Sequence, residues 1–315
     1  MSGVVALGET MGLVLSRRTG GFDLVSEAEI SFGGAESNVA IGASRLGSEA
    51  QWIGRLGDDA VGRRVLRGLR AEGVAAYVEL DPDRPTGLML KERPRPGQSR
   101  VTYYRAGNSG SRLAASDLPL EIIASADVLH VTGIGLALSA SSADAVLAAV
   151  AHARAHGVIV SFDVNHRASL WSAGDARDAY RALAGLADVI FAGDDEAAIL
   201  VGEGTPLEQA RALQALGAPR AVIKLGERGA FAVDGEAEAS VAAFRVPVID
   251  TVGAGDAFVA GYLVELVAGR NLGERLRTAA AAGAFACGGE GDWESLPSRA
   301  DVAALITGGG DPVRR

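Results

Sequence analysis

Asp250-Thr251-Val252-Gly253-Ala254-Gly255-Asp256-Ala257-Phe258 is the stretch on which the fold turns. A β-like apolar run, residues 244–249, feeds into it, and an apolar, helix-compatible segment, residues 257–267, leaves it. A glycine turn between a strand and a helix aims free backbone N–H groups outward at a helix N-terminus, where the helix dipole also favours negative charge. Asp256 falls in that first helical turn. Amides of Gly253, Ala254 and Gly255 can hold a migrating phosphoryl group while the Asp256 carboxylate takes the proton from an attacking hydroxyl. A plain glycine turn with Asp256 as a helix-start residue fits the same letters.

A second glycine-rich segment lies near the N-terminus: Phe32-Gly33-Gly34-Ala35-Glu36-Ser37-Asn38-Val39-Ala40, then Ala43-Ser44-Arg45-Leu46-Gly47. The two segments, in this order and with most of the chain between them, resemble the two signatures of the ribokinase-like (PfkB) carbohydrate kinases. The resemblance spans residues 4–306. It implies ATP and Mg²⁺ as cofactors, Asp256 as general base, and Gly33, Gly34 and Asn38 at the sugar hydroxyls, where glycine permits close backbone approach.

Composition agrees with such an enzyme. At 315 residues the chain exceeds the ~100–200 residues usual for one domain, so one large α/β domain with an appendage, or two domains, would fit. Hydrophobic residues make up 48%, charged residues 22%, and there are 42 glycines, a globular and turn-rich composition. The net charge of −9 argues against a nucleic-acid partner. Cys287 is the single cysteine, which excludes an intrachain disulfide and suits a reduced, cytoplasmic setting. It reads as a small apolar helix residue. Met1-Ser2-Gly3-Val4 lacks the basic start of a signal peptide. The longest Ala-rich run, residues 278–286, is far too short to cross a bilayer, so no membrane partner is expected. Gly308-Gly309-Gly310-Asp311-Pro312 reads as a fraying tail.

Short apolar runs at residues 4–7, 51–55, 128–132, 158–163, 189–192 and 221–225 alternate with helical spacing at 37–46, 60–72, 141–155 and 207–216. That alternation predicts an α/β fold, a mostly parallel sheet flanked by helices. Residues 13–32 and 74–105 break the rhythm with β-like pieces such as Tyr77-Val78-Glu79-Leu80, Gly87-Leu88-Met89-Leu90 and Arg100-Val101-Thr102-Tyr103-Tyr104. A separate small sheet is the simplest account. The resemblance makes this sheet a lid over the sugar and the expected contact of a homo-oligomer. The core, binding nucleotide and substrate, then takes residues 1–12, 33–73 and 106–315.

No Gly-x-x-x-x-Gly-Lys-Ser/Thr and no His-Arg-Asp loop occurs, so another nucleotide cradle is required. Lys224-Leu225-Gly226-Glu227-Arg228-Gly229-Ala230 follows a strand and is similar to the family's nucleotide loop, with Lys224, Gly226 and Gly229 its contacts; a plain β-hairpin turn is the other reading. Asp194-Asp195-Glu196 follows another strand and suits either Mg²⁺ or the acidic first turn of a helix. The family usually shows Asn-x-x-Glu here. Gly193 stands at the Asn position, so only Glu196 carries over as a metal residue.

On the substrate side, Tyr103-Tyr104-Arg105 and Asp163-Val164-Asn165-His166-Arg167 resemble elements of the 2-keto-3-deoxygluconate kinases that hold the sugar acid. A substrate carboxylate suits the planar arginine fork, whereas surface ion pairing would give Arg105 and Arg167 little weight. The resemblance also places Asp292 at a substrate contact, where an Asx-turn is the alternative, and Asn165 at the cofactor. Met89 departs from the pattern, because the resembled kinases often place an aromatic residue there. His152 and His156 lie i, i+4 without a third ligand in sequence and read as solvent-facing. The expected activity is ATP-dependent phosphorylation of a hydroxymethyl group on a 2-keto-3-deoxy sugar acid. A kinase for fructose, ribose or 5-keto-2-deoxygluconate, and a noncatalytic sensor of sugar acid or nucleotide, are the alternatives.

Overall fold

The computed structural model describes residues 3–95 and 98–308. Met1-Ser2 and the tail residues Gly309-Gly310-Asp311-Pro312 lie outside them. Thirteen strands run in chain order as β1 (Val4–Leu7), β2 (Met11–Ser16), β3 (Ala28–Gly33), β4 (Ala50–Gly57), β5 (Val74–Asp81), β6 (Leu88–Arg95), β7 (Gln98–Tyr104), β8 (Val128–Thr132), β9 (Ile159–Asp163), β10 (Val189–Gly193), β11 (Arg220–Lys224), β12 (Ala230–Asp234) and β13 (Ala237–Val241).

Nine of them form one sheet in the order β13-β12-β11-β10-β9-β8-β1-β4-β5. All pairs from β11 to β5 are parallel, and β12 and β13 close one side as an antiparallel meander. The central strands are near-continuous apolar runs because helices cover both faces. One face packs on helices Ala35–Arg45, Ala254–Val267 and Leu272–Ala286, around Trp52, Phe191, Tyr262 and Leu276. The other packs on Ala140–Ala155 and Ala173–Ala184, around Ile53, Val146, Phe162 and Tyr180. The chain leaves β1 toward β4 and β5 on one side and later returns to build β8 to β11 on the other. The carboxyl ends of β1 and β8 therefore flank a switch point, where open α/β sheets form their crevice.

The remaining four strands make a small sheet, β3-β2-β6-β7. Its register sets Leu13 beside Met89, and Met89 opposite Tyr103. Side chains alternate across a strand, so Met11 and Leu13 of β2, Met89 and Lys91 of β6, and Val101 and Tyr103 of β7 face one way.

Two expectations are corrected. Residues 74–81, expected in the small sheet, form β5 and pair in parallel with β4 along the edge of the large sheet. Residues 244–249, read as a strand, pair with no strand and are mostly exposed, with Val248 65% and Ile249 57% exposed. Pro247 offers no N–H to a ladder, and the segment crosses the surface to the 250–256 turn.

Candidate active site

The carboxyl ends of five parallel strands converge on one cavity of roughly 390 Å³, and the small sheet faces it from the opposite side. Glu9 follows β1, Ile134 follows β8, Asn165 and Arg167 follow β9, Glu196 follows β10, and Lys224 ends β11. Gly34 and Asn38 come from the start of helix Ala35–Arg45, and Gly253, Gly255 and Asp256 from the start of helix Ala254–Val267.

Gly253 caps that last helix in the left-handed region at φ 78°. A Cβ there would stand 2.1 Å from the carbonyl oxygen of Asp292, so both conformation and space demand glycine. Ala254 N–H donates to the Thr251 carbonyl at 3.3 Å, which takes it out of the expected anion-binding set. Gly255 and Asp256 lie among the first residues of the helix, whose N–H groups have no intrahelical acceptor. A Cβ on Gly255 would lie 4.0 Å from Lys224 Nζ. The dipole end of the helix and a lysine ammonium thus meet at one spot.

Asp256 is buried, and Asn38 Nδ2 donates to its Oδ2 at 2.8 Å. Burial pushes the Asp256 carboxyl up to about 7, aided by the charge of Asp292 and opposed by the Asn38 hydrogen bond. Burial likewise raises Asp292 to about 6, against the pull of Lys91. Asn38, expected at a sugar hydroxyl, here donates to the Asp256 carboxylate. Gly33 is not on the cavity wall; a Cβ there would stand 1.5 Å from Asp292 Oδ2, so this glycine makes room for that carboxylate.

Lys224 Nζ bonds both carboxylate oxygens of Asp163, at 2.7 and 2.8 Å. Burial pulls its ammonium down, but Asp163, Glu196 and Asp256 together hold it above the ordinary value. Gly226 and Gly229 stay off the cavity wall. They belong to the β11–β12 hairpin, where Leu225 N–H donates to the Gly229 carbonyl at 2.9 Å and a Gly229 Cβ would strike the Val241 carbonyl. Glu196 Oε1 accepts from His166 N–H at 2.8 Å and Oε2 from Gly193 N–H at 2.7 Å. Among the described residues no cluster of three or more His, Cys, Asp or Glu could hold a metal. Asn165 sits at φ 41°, unusual outside glycine, and its buried Oδ1 has no partner.

The small sheet brings Tyr103 and Arg105 to the cavity wall, and also Lys91, which the motifs did not suggest. Arg105 Nε donates to Glu9 Oε2 at 2.8 Å, and an Nη reaches the same oxygen. Its guanidinium also stands 5.4 Å from the Tyr103 ring centre. Glu9 was likewise missed. Burial raises its carboxyl, against the charge of Arg105. Beside it Glu36, which accepts a hydrogen bond from Thr132, is raised by burial to about 7. Lys91 pairs with Asp250. Among the described residues Arg167 alone of the four cations lining the cavity has no carboxylate partner.

A buried carboxylate beside a glycine turn at a helix N-terminus, at the switch point of a parallel sheet, suits phosphoryl transfer. The description "pfkB family carbohydrate kinase" matches residues 1–299. The chain belongs to that family. It is similar to the 2-dehydro-3-deoxygluconokinase of Bacillus subtilis (strain 168), 36% identical over 96% of this chain and 95% of the relative. It is also similar to that of Thermoproteus tenax, 38% identical over 97% of this chain and 94% of the relative. Its fold matches a candidate ribokinase II from E. coli solved in complex with ATP and Mg²⁺, with a TM-score of 0.91 over 98% of this chain and 99% of the other, at 24% identity. This carbohydrate kinase therefore has a ribokinase-like fold. Among its described residues no helix is long and apolar enough to cross a membrane.

Proposed function

We propose that this kinase transfers the γ-phosphoryl group of ATP to a hydroxymethyl group of a 2-keto-3-deoxy sugar acid such as 2-keto-3-deoxygluconate, with Asp256 as general base. The observation that carries the reading is the unpaired guanidinium of Arg167 on the wall of the cavity that holds Asp256. Lys91, Arg105 and Lys224 are each matched to a carboxylate, so a substrate carboxylate finds its partner at Arg167. The names of the two kinase relatives support the same substrate class.

Asp256 takes the proton of the attacking hydroxyl, and Asn38 holds the carboxylate in line for it. The raised pKa makes Asp256 a stronger base than an ordinary aspartate at the price of needing pH near or above 7 to be ionised. Amides of Gly253 and Gly255, with Lys224 beside them, receive the phosphoryl oxygens. The donor set fits Mg²⁺, which takes oxygen ligands and keeps several waters: Asn165 Oδ1 is buried without a partner, and Glu196 lines the same cavity. Those two residues would hold the ion, which would supply positive charge to offset that of the nucleotide phosphates. Met89, Tyr103 and Arg105 shape the sugar side. A homodimer through the outer face of the small sheet, where Ile30 and Tyr104 are exposed, belongs to the same reading, and sedimentation tests it.

The pairing of Arg105 with Glu9 favours a second reading, a kinase for a neutral sugar, because one of the two expected carboxylate readers is already neutralised. A coupled ADP-release assay across sugar acids and neutral sugars separates the two. The sugar-acid reading requires the highest kcat/KM on a 2-keto-3-deoxy sugar acid, and preference for fructose or ribose overturns it.

A further inference from the structure

Lys91 is 1% exposed, in the interior between the small sheet and the core. Its Nζ donates to Asp250 Oδ2 and, at 2.8 Å, to the carbonyl of Gly291. Asp250 opens the 250–256 turn, and its Oδ1 accepts from Val252 N–H at 3.2 Å, so the carboxylate that grips Lys91 also bends the turn. Gly291 precedes Asp292, whose carbonyl packs against Gly253. One ammonium thus joins β6, the start of the phosphoryl-binding turn and the loop carrying the second buried carboxylate. On the other side of the turn, Ile249 and Asp250 N–H both donate to the Cys287 carbonyl, at 2.8 and 3.3 Å. The entrance to the turn is therefore clamped between a fixed helix end and a side chain borne by the small sheet.

A buried ammonium–carboxylate pair is a poor device for stability, because desolvation offsets the attraction and an apolar pair of the same shape often does as well. Fixing geometry is a better account of it. We propose that Lys91 is a positioning residue for phosphoryl transfer: its ammonium holds Asp250 and Gly291 so that the Gly253–Gly255 amides and Asp256 take their reactive places only when the small sheet is seated on the core. The inference rests on the reading of that turn as the phosphoryl cradle. It assigns Lys91 no contact with substrate; it acts through Asp250.

Lys91→Ala, the isosteric Lys91→Met, and the double variant Lys91→Met with Asp250→Asn test it. The double variant removes both charges of the Lys91–Asp250 pair, so neither is left buried without the other, and Asp292, which loses the pull of Lys91, can take a proton. Whichever sugar the unaltered enzyme phosphorylates serves as acceptor, so an error in the sugar and an error about Lys91 show in different measurements. All three variants should lose about tenfold or more in kcat, as when one oxyanion-hole donor is lost, with KM for ATP and sugar little changed. Methylammonium should restore part of kcat in Lys91→Ala, which leaves room for it, and none in Lys91→Met. A double variant with kcat close to that of the unaltered enzyme overturns the proposal. So does a loss in Lys91→Ala that follows its unfolding temperature and that methylammonium does not relieve.

Discussion

The two sheets of this kinase are held by different forces. In the large sheet β8 is buried along its whole length, β9 and β10 nearly so, and apolar clusters fill both faces. The small sheet has a cluster of only four buried side chains, Met11, Leu13, Leu15 and Met89, with Val101 against it. Apart from Phe32, which enters the core beside Trp293, it is fastened by polar contacts: Lys91 to Asp250, Arg105 to Glu9, Arg93 to Glu290, Ser31 to Glu294, and Trp293 Nε1 to the Phe32 carbonyl. Apolar packing fixes the groups that handle the phosphoryl transfer to within a rotamer. Charge pairs exchange for water with less loss, so of the two sheets the small one is the more easily parted from the core. If that contrast is right, substitutions at the buried ties of the small sheet should act through its attachment, and those within the core should leave that attachment intact.

The largest effect belongs to the core. Asp256→Asn should lower kcat by ~10²–10⁴, the usual worth of a general base, while nucleotide binding measured by calorimetry stays within a few-fold. A loss below about tenfold in a folded variant would remove Asp256 from proton transfer. The pH response has a definite sign. Between the ordinary value of 3.8 and about 7 the folded chain keeps a proton on Asp256 that the unfolded chain has released. This group therefore subtracts stability as pH rises through that window. Turnover should climb over the same range. Thermal unfolding of Asp256→Asn should show a shallower decline with pH than the unaltered enzyme.

Next comes the buried tie of the small sheet. Arg105→Ala leaves Glu9 buried without its counter-charge and beside Glu36, and should cost about 3–5 kcal/mol in urea unfolding. Glu9 can escape by taking a proton, so the loss should be greater at pH 8 than at pH 5. An Arg105 variant as stable as the unaltered enzyme at both pH values would show that the pair does not secure the small sheet.

Arg167 provides the counter-case, a cation that rises from the core and, among the described residues, forms no salt bridge, although its charge reaches Asp256 and Asp292. Arg167→Ala should leave stability within about 0.5 kcal/mol. KM for a sugar acid should rise roughly tenfold to a hundredfold, the worth of one charge-assisted hydrogen bond. A neutral analogue should lose little. Equal losses on acid and neutral sugars would move the carboxylate away from Arg167 and favour the neutral-sugar reading.

The same contrast explains what the letters could reveal. Residues 128–132 and 189–193 are legible as strands because burial on both faces demands unbroken apolar runs. β5 is an edge strand of the same sheet, and its polar, half-exposed side chains give it the pattern of the small sheet's strands. Residues 244–249 have the apolar content of a strand but pair with none, and pairing is a tertiary fact. In the site, glycine-rich turns carry a local signature, so Gly253, Gly255, Gly34 and Asp256 are readable. Glu9 and Lys91 are single charges whose partners lie 96 and 159 residues away. One signal was available for Lys91: it shares the parity of Met89 in a strand read as substrate-facing. Ala254, Gly226 and Gly229 belong to the motifs by position but lie off the cavity wall, and the Ala254 N–H and the Gly226 and Gly229 carbonyls are taken by turn hydrogen bonds.

The smallest effect should come from the exposed tie. Arg93 Nη1 lies 2.6 Å from Glu290 Oε1, a good distance, yet the Glu290 side chain is 52% exposed. Arg93 holds the Glu290 carboxyl below its ordinary value through their hydrogen bond, but water and salt screen a pair so open. Glu290→Gln should therefore cost about 0–1 kcal/mol in unfolding, with kcat and both KM values close to those of the unaltered enzyme. The loss should shrink further in 0.5 M salt. This variant is the control on the comparison of the two sheets. It cuts the same seam as the Lys91 variants, between β6 and the 290–294 loop, at a point that water already reaches. If Glu290→Gln lowered kcat as strongly as Lys91→Met, the seam itself would matter irrespective of burial, and the distinction between buried and exposed ties would fail. If it is silent while the buried pairs are not, attachment of the small sheet is set by the ammonium and guanidinium that enter the core.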